Sequence, residues 1–454
     1  MGPLLEPDPL LESFVLSPAS TAVPERLPLE NPLAPAPLSL RRDWLALWLV
    51  AGLLWWLLGM PLLPSSKHYH QGLMVLFWLP GLIAFCLHAP LRRAWRQPVM
   101  LLLLVFAAWS ASSWSWSPPG VAPGELKIFP YVLLAANATL ALACLAPALF
   151  WRGLALAGLV AGFCAWLAVG YFYGWQDHGW RDRVVGTGLL NHPILAAQVF
   201  AALGVLMVGL RRHLPLPAAL RHVGCGLSAG GYLAFLLMSQ SKGPWLAAVI
   251  TVLLTPLWWR DTRAGVGVAL FSVAGLFALW MWPDFVLQRG LSFRPELSDL
   301  AWRQYLQHPL RGLGFATDYT LVINPTLAFE HAHNVYMHIA IRLGGVGLAL
   351  WAALQGLCLW SLWRARQTVE ARALCALMCF ACLAMLTDGV GPWVKPREEW
   401  FCSWLPLFVA MAWLTLRRQA RTLAAPARAN PAIGGLVVAP MLSPARQEVS
   451  GDHG

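Results

Sequence analysis

Apolar residues fall in twelve long runs along this chain, near 44–63, 71–88, 98–115, 130–149, 153–173, 192–210, 223–240, 244–259, 264–282, 334–362, 373–391 and 400–416. Each is long enough to span a hydrocarbon core, which takes ~20 residues of helix. The pattern predicts an all-α integral membrane protein with about twelve transmembrane helices over 41–421. Flexible tails are expected at 1–40 and 422–454, both on the same side. The longest polar interruption, 284–333, reads as an outward loop. Within it Arg294-Pro295-Glu296 opens a short amphipathic helix that reaches Gln307 and stops at His308-Pro309. Residues 1–40 lack the basic n-region and apolar core of a cleaved signal peptide.

Composition narrows the class. At 58% hydrophobic and 12% charged, the chain is too apolar for a soluble enzyme. A net charge of +11 invites a nucleic-acid partner, but the basic residues sit between apolar runs and so orient a membrane protein instead. Loops on the side of the tails hold 17 Lys and Arg against 12 on the other side, which makes the tails cytoplasmic and the 284–333 loop periplasmic. ATP is absent there, so any transfer needs a pre-activated donor. The nine Cys lie in or beside apolar segments and imply neither a disulfide framework nor zinc. Cys375, Cys379 and Cys382 have helical spacing that suits packing better than a metal site.

Three outward helix starts lie beside cations. Arg181 and Arg183 precede Asn191-His192-Pro193, where Asn191 suits a cap and Pro193 a first turn. Lys242 precedes Pro244, and Arg294 precedes Pro295. A single such cation is as well read as an anchor to lipid headgroups. Three together with helix N-termini suit a diphosphate.

His333 stands at the threshold of the tenth run. At 100° per residue, Gly344 and Gly347 return to within ~40° of it, where they would admit a neighbouring helix, while His338 and Arg342 turn away. An imidazole among clustered cations is a candidate general base. Glu330, His331, His333 and His338 offer a metal reading. The chain lacks the Asp-x-Asp pair that would hold a divalent ion on a diphosphate, so no metal or other cofactor is expected.

His333-Asn334, nine residues, then Gly344-Gly-Val-Gly347 resembles the His-[Asn/Ser/Gln]-x9-Gly-x-x-Gly pattern of bacterial O-antigen ligases. Their superfamily also includes O-antigen polymerases and protein O-oligosaccharyltransferases. Arg294 to Trp302 and His308 to Gly314 are similar to the segment before that motif, Arg183 to Asn191 to its earlier outward loop, and Ser241-Lys-Gly243 to its Ser-Arg-Gly turn. Lys242 replaces an arginine there and cannot make the bidentate fork. The resemblance covers roughly 180–350. It implies a GT-C-like fold and glycan transfer from undecaprenyl diphosphate to lipid A–core, at the periplasmic face of the bacterial inner membrane, without metal or nucleotide. In this reading His333 is the base and Arg294 holds diphosphate together with Arg183, or with Arg181 if that is the loop arginine of the family. Lys242, Arg311, Arg181, Asn191 and Asn334 contact substrate. Asp388 orients His333 or an acceptor sugar, or simply pairs with a cation. A polymerase or a protein transferase of the same superfamily is the nearest rival. A lipid-linked oligosaccharide transporter would place charges near the midplane and show repeated halves.

Overall fold

A computed structural model describes residues 44–118, 123–259, 262–281 and 293–429. The tail expected over 1–40 lies outside them, as do Arg289 and most of the 422–454 tail. The helices are α1 Trp44–Leu62, α2 Ser66–Leu87, α3 Pro98–Ser112, α4 Ile128–Leu145, α5 Pro147–Gly170, α6 Pro193–Leu210 and α7 Ala218–Met238. They continue as α8 Lys242–Trp258, α9 Thr262–Met281, α10 Arg294–Gln307, α11 Val335–Trp363, α12 Val369–Met385 and α13 Leu405–Ala429. Each apolar run carries a helix. Among the described residues eight are long and apolar enough to cross a membrane, on α1 to α6, α11 and α13. Of the rest, α7 carries Arg221 and His222, and α8 and α12 are 17 residues long.

Two boundaries differ from the sequence reading. α13 continues past Arg421 to Ala429, so the expected tail begins later. Besides the expected short helix, the outward loop holds a hairpin that the sequence reading did not include: strands β1 (Leu321–Asn324) and β2 (Leu327–Phe329) pair antiparallel between α10 and α11.

Lipid offers helices no hydrophobic reason to associate, so close approach and interlocking shape hold the bundle. Tyr232 of α7 donates to the Gly158 carbonyl of α5, and Ser228 donates to Leu159 O at 3.0 Å. Of the eight candidate spans the one that carries α13 is the most buried, and Trp404 stands immediately before that helix. Trp404 stacks on Phe408 at 5.5 Å and meets Trp351 of α11 edge-on at 5.3 Å.

α11 is broken rather than straight. Gly344 has φ 69° and ψ −175°, a conformation an L side chain rarely adopts. The break frees backbone groups, and five groups around it find partners outside the helix. Gly345 N donates to Pro309 O at 2.7 Å and Val346 N to Leu310 O at 3.3 Å. The carbonyls of Ile341 and Arg342 accept from Leu313 N (2.9 Å) and Gly314 N (2.8 Å), and Leu343 O accepts from the Trp109 indole at 3.0 Å. Irregular backbone inside a span is tolerated under that condition. The expected role of Gly344 as a seat for a neighbouring helix is thereby corrected. The helical wheel fails because the helix does not run unbroken from His333 to Gly347, and the neighbour it admits is the 309–314 turn.

Candidate active site

Three of the helices begin in the same way. Gln240, Phe293 and His333 all have positive φ (49°, 57° and 48°), and each lies one or two residues before α8, α10 or α11. A left-handed residue there costs about 1 kcal/mol or more and turns the chain sharply into the helix. The turns present Lys242, Arg294 and His333 at helix starts.

His333 is fixed from two sides. Asn334 caps α11, its Oδ1 accepting from Tyr336 N (3.0 Å) and Met337 N (3.2 Å). Asp388, in the loop after α12, places Oδ1 2.8 Å from His333 Nδ1. Gly389 makes that approach possible: its φ is 130°, and an added Cβ would lie 2.6 Å from a Val335 methyl. Its N–H donates to the same Asp388 oxygen at 2.9 Å. The Asp388 side chain is 4% exposed and that of His333 25%, so a substrate can reach the ring but not the carboxylate.

The electrostatics follow. Burial alone would raise the Asp388 carboxyl. The hydrogen bond and charge of His333, with Arg294 and His192 beyond, outweigh burial and hold it below its ordinary value. His192 is lowered by burial first and by Arg183, against Asp388. His331, its ring centroid 4.1 Å from that of His333, is pushed down to about 4 by burial and then by His333.

Arg294 lies within electrostatic reach of Asp388 and Arg183 within reach of His192, which itself senses Asp388 and His333. Arg183 is held by Ser239 O at 2.9 Å and Ser241 Oγ at 3.1 Å, which sets it against the turn that opens α8 at Lys242. Other candidates go elsewhere. Arg181 is exposed and offers its carbonyl to Gln240. Arg311 is exposed in the turn seated on the α11 break, nine residues and so ~13 Å along the helix from its start. His338 is hydrogen-bonded to Tyr319 at 2.9 Å, and Arg342 to Asp318 at 3.0 Å. Asn191 does not cap α6. His192 does, its Nδ1 accepting from Leu195 N at 3.3 Å, because its extended backbone (φ −102°, ψ 120°) already points the ring at the first turn.

Asn191 instead borders a cavity of about 640 Å³ whose lining includes neither His333 nor Asp388. Arg342, Lys395, Arg397, Glu398 and Trp393 also line it. The 389–399 loop on its rim is tied down by Trp404 Nε1 to Pro392 O (2.7 Å), Trp400 Nε1 to Val394 O (2.9 Å) and a His70–Pro396 O contact (2.8 Å). Buried Glu399 sits behind it with Arg397 Nε at 2.9 Å from Oε2. Burial, against Arg397, raises the Glu399 carboxyl to about 7.

Sequence reasoning missed His192, and weighed His331 only as a metal ligand. His192-Pro193 was legible as a helix start. Nothing in the chain marked His331 as a neighbour of Asp388. Among the described residues His331, His333 and Asp388 each offer a ligand atom within 4.8 Å of one another. Glu330 and His338, the other two of the expected metal set, are not in that group. In this structure His333 Nδ1 and Asp388 Oδ1 are engaged with each other.

Residues 227–352 match a family model described as O-antigen ligase. Over 391 residues the chain is 28% identical to an O-antigen ligase of Pseudomonas aeruginosa, covering 84% of this chain and 94% of the relative. The similarity to the O-antigen ligase superfamily is established. An O-antigen ligase of Salmonella typhimurium is 27% identical over 147 residues, 28% of this chain and 36% of that protein. The O-antigen ligase match includes Lys242, Arg294, Arg311, His333 and Asn334. Arg183, Asn191 and Asp388 lie outside the family model and inside the region the geometry joins to it. At family level the likeness supports a membrane enzyme that transfers glycans.

Proposed function

We propose that this protein is an O-antigen ligase that moves a glycan from undecaprenyl diphosphate to a hydroxyl of lipid A–core, at the periplasmic face of the bacterial inner membrane. The observation that carries the reading is the His333–Asp388 pair, with Arg294 within electrostatic reach of Asp388 and Arg183 within reach of the neighbouring His192. Asp388, ionised at neutral pH, accepts from Nδ1–H of His333, and this leaves the Nε2 lone pair for the acceptor hydroxyl. Nε2 takes the proton as the acceptor oxygen bonds to the anomeric carbon. The bond from that carbon to the diphosphate oxygen breaks, and its electron pair leaves with the carrier. One displacement inverts the anomeric centre. Arg294 and Arg183, with Lys242 at the α8 start, stabilise the charge that develops on the departing diphosphate. In this reading the reaction runs without metal, as the lack of an Asp-x-Asp pair to hold a divalent ion on the diphosphate supports.

Twelve helices cross the membrane with both tails in the cytoplasm, as the distribution of Arg and Lys supports. The cavity of about 640 Å³ has the mix of carboxylate, guanidinium and indole that suits sugar hydroxyls, and it takes the outer sugars of the acceptor. The test supplies purified protein with lipid-linked glycan and, separately, lipid A–core, a second lipid-linked glycan, or a pilin-type protein. Product with lipid A–core alone supports ligase. Product with the second lipid-linked glycan makes the protein a polymerase, and product with the protein acceptor makes it an O-oligosaccharyltransferase.

A further inference from the structure

The bundle end remote from His333 carries a second concentration of charge. α11 begins beside His333 and runs 29 residues to Trp363, so Arg364 lies at its opposite end, up to roughly 40 Å away across the break. Two cavities open there, of about 540 and 680 Å³, and Gln97 and Arg418 border both. Gln97 is buried and donates to Thr415 Oγ1 at 2.9 Å, which makes a fixed polar partition between them.

Six arginines ring the pair. Arg364, Arg417 and Arg421 border the first cavity, Arg93 and Arg96 the second, and Arg418 both. Neither lining includes a carboxylate, and among the described residues no ion pair engages any of the six. Arg417 lies over the Trp413 ring at 5.2 Å. Like charges crowded without counter-charge lower the free energy of any anion that enters.

The walls below the guanidinium groups are apolar. Leu357, Leu414 and Val99 line one, and Leu91, Ala141 and Leu145 the other. Trp360, 59% exposed, stands at the mouth of the first, and the neighbouring face of α3 exposes Leu101. Charge at one end with apolar walls leading to lipid-facing helix surface suits a molecule with an anionic head and acyl chains. A soluble phosphate would gain nothing from those walls.

We infer that the two cavities bind the phosphodiester headgroups of anionic glycerophospholipids, at a site separate from that of the lipid-linked donor. The test is native mass spectrometry and thermal unfolding of the detergent-purified protein, titrated with phosphatidylglycerol, phosphatidylcholine, inorganic phosphate or glycerol phosphate. Phosphatidylglycerol should bind at least tenfold more tightly than phosphatidylcholine and raise the unfolding temperature. The Arg417→Gln/Arg418→Gln double variant should lose that preference, and His333→Ala should keep it. If the double variant does not purify folded, Arg364→Gln in the same titration should weaken phosphatidylglycerol at least threefold. Equal binding of the two lipids, or wild-type selectivity in the arginine variants, overturns the inference. Equal stabilisation by inorganic phosphate, with displacement of phosphatidylglycerol, assigns the cations to a soluble anion and overturns the lipid assignment.

Discussion

Asp388 reaches His333 across 55 residues of sequence and meets its Nδ1 at 2.8 Å, one member arriving from the turn before α11 and the other from the loop after α12. The pair fixes the ring's tautomer as well as its direction. Replacing Asp388 by Asn keeps the shape but offers the ring an amide, so turnover should fall about 10²-fold or more. Donor binding, read by equilibrium titration with the lipid-linked glycan, should stay within about threefold, and the pH–rate profile should change shape. An unchanged profile with normal turnover would make Asp388 structural.

The arginines separate into two groups. Arg294 lies within electrostatic reach of Asp388 and Arg183 within reach of His192, whereas Arg181 and Arg311 are exposed. Glutamine at either of the first two should lower kcat/KM by roughly 10²-fold, as loss of a charge-assisted contact to phosphate does. Glutamine at Arg181 or Arg311 should cost less than about threefold. Steady-state kinetics on the four variants decides it, and equal losses at all four would point to general attraction of an anionic donor.

The broken helix yields a stability prediction. A Cβ at Gly344 would collide with the Leu310 carbonyl and would have to adopt φ 69°. Gly344→Ala should destabilise by about 2 kcal/mol or more, through strain and loss of the contacts that seat the 309–314 turn. Reduced yield of monodisperse protein and a lower unfolding temperature in detergent are the readouts. Ala at Gly356, which meets nothing within 4 Å, is the control and should be nearly neutral.

Legibility in the sequence followed the range of the forces involved. The apolar runs could be read because lipid requires about 20 consecutive apolar residues of each span, and α10 because Arg294-Pro295 and His308-Pro309 bracket it. His333 stood out through its company of cations. The Asp388 contact, the His192 cap and the α11 break depend on residues brought together by folding. Gly344 is the instructive position: spacing placed it on the face of His333, but its conformation is set by the turn at 309–314. The β1–β2 hairpin was missed because Asn324-Pro325-Thr326 lies in a polar loop too short for a clear alternation.

Buried Glu399 and half-buried His331 oppose each other with pH. Glu399 is raised from 4.5 to about 7, so the stability it contributes is full below about 4.5 and is lost as pH rises through about 7. His331 is lowered from 6.5 to about 4, so its contribution is present above about 6.5 and is lost as pH falls through about 4. Over the shared window the two slopes offset in the wild type. Glu399→Gln should leave stability falling on acidification, and His331→Gln should leave it falling as pH rises towards about 7. Unfolding temperatures between pH 5 and 8 should diverge by at least about 2 °C between the variants; parallel curves would show that neither group titrates in this range.

Exhaustive chelation should leave glycan transfer within about twofold of the untreated rate if, as proposed, the nucleophile is primed by an imidazole rather than by a bound cation. Loss of activity on chelation, restored by one divalent ion, would reassign His331, His333 and Asp388 as its ligands.

The most direct measurement is single-turnover transfer from lipid-linked glycan to lipid A–core by wild-type protein and His333→Ala in the same lipid nanodiscs, with donor affinity measured in parallel. The expected result is a fall in the rate of about 10³-fold or more with donor affinity within about threefold. Transfer at near the wild-type rate by the alanine variant would contradict the assignment of His333 as the base.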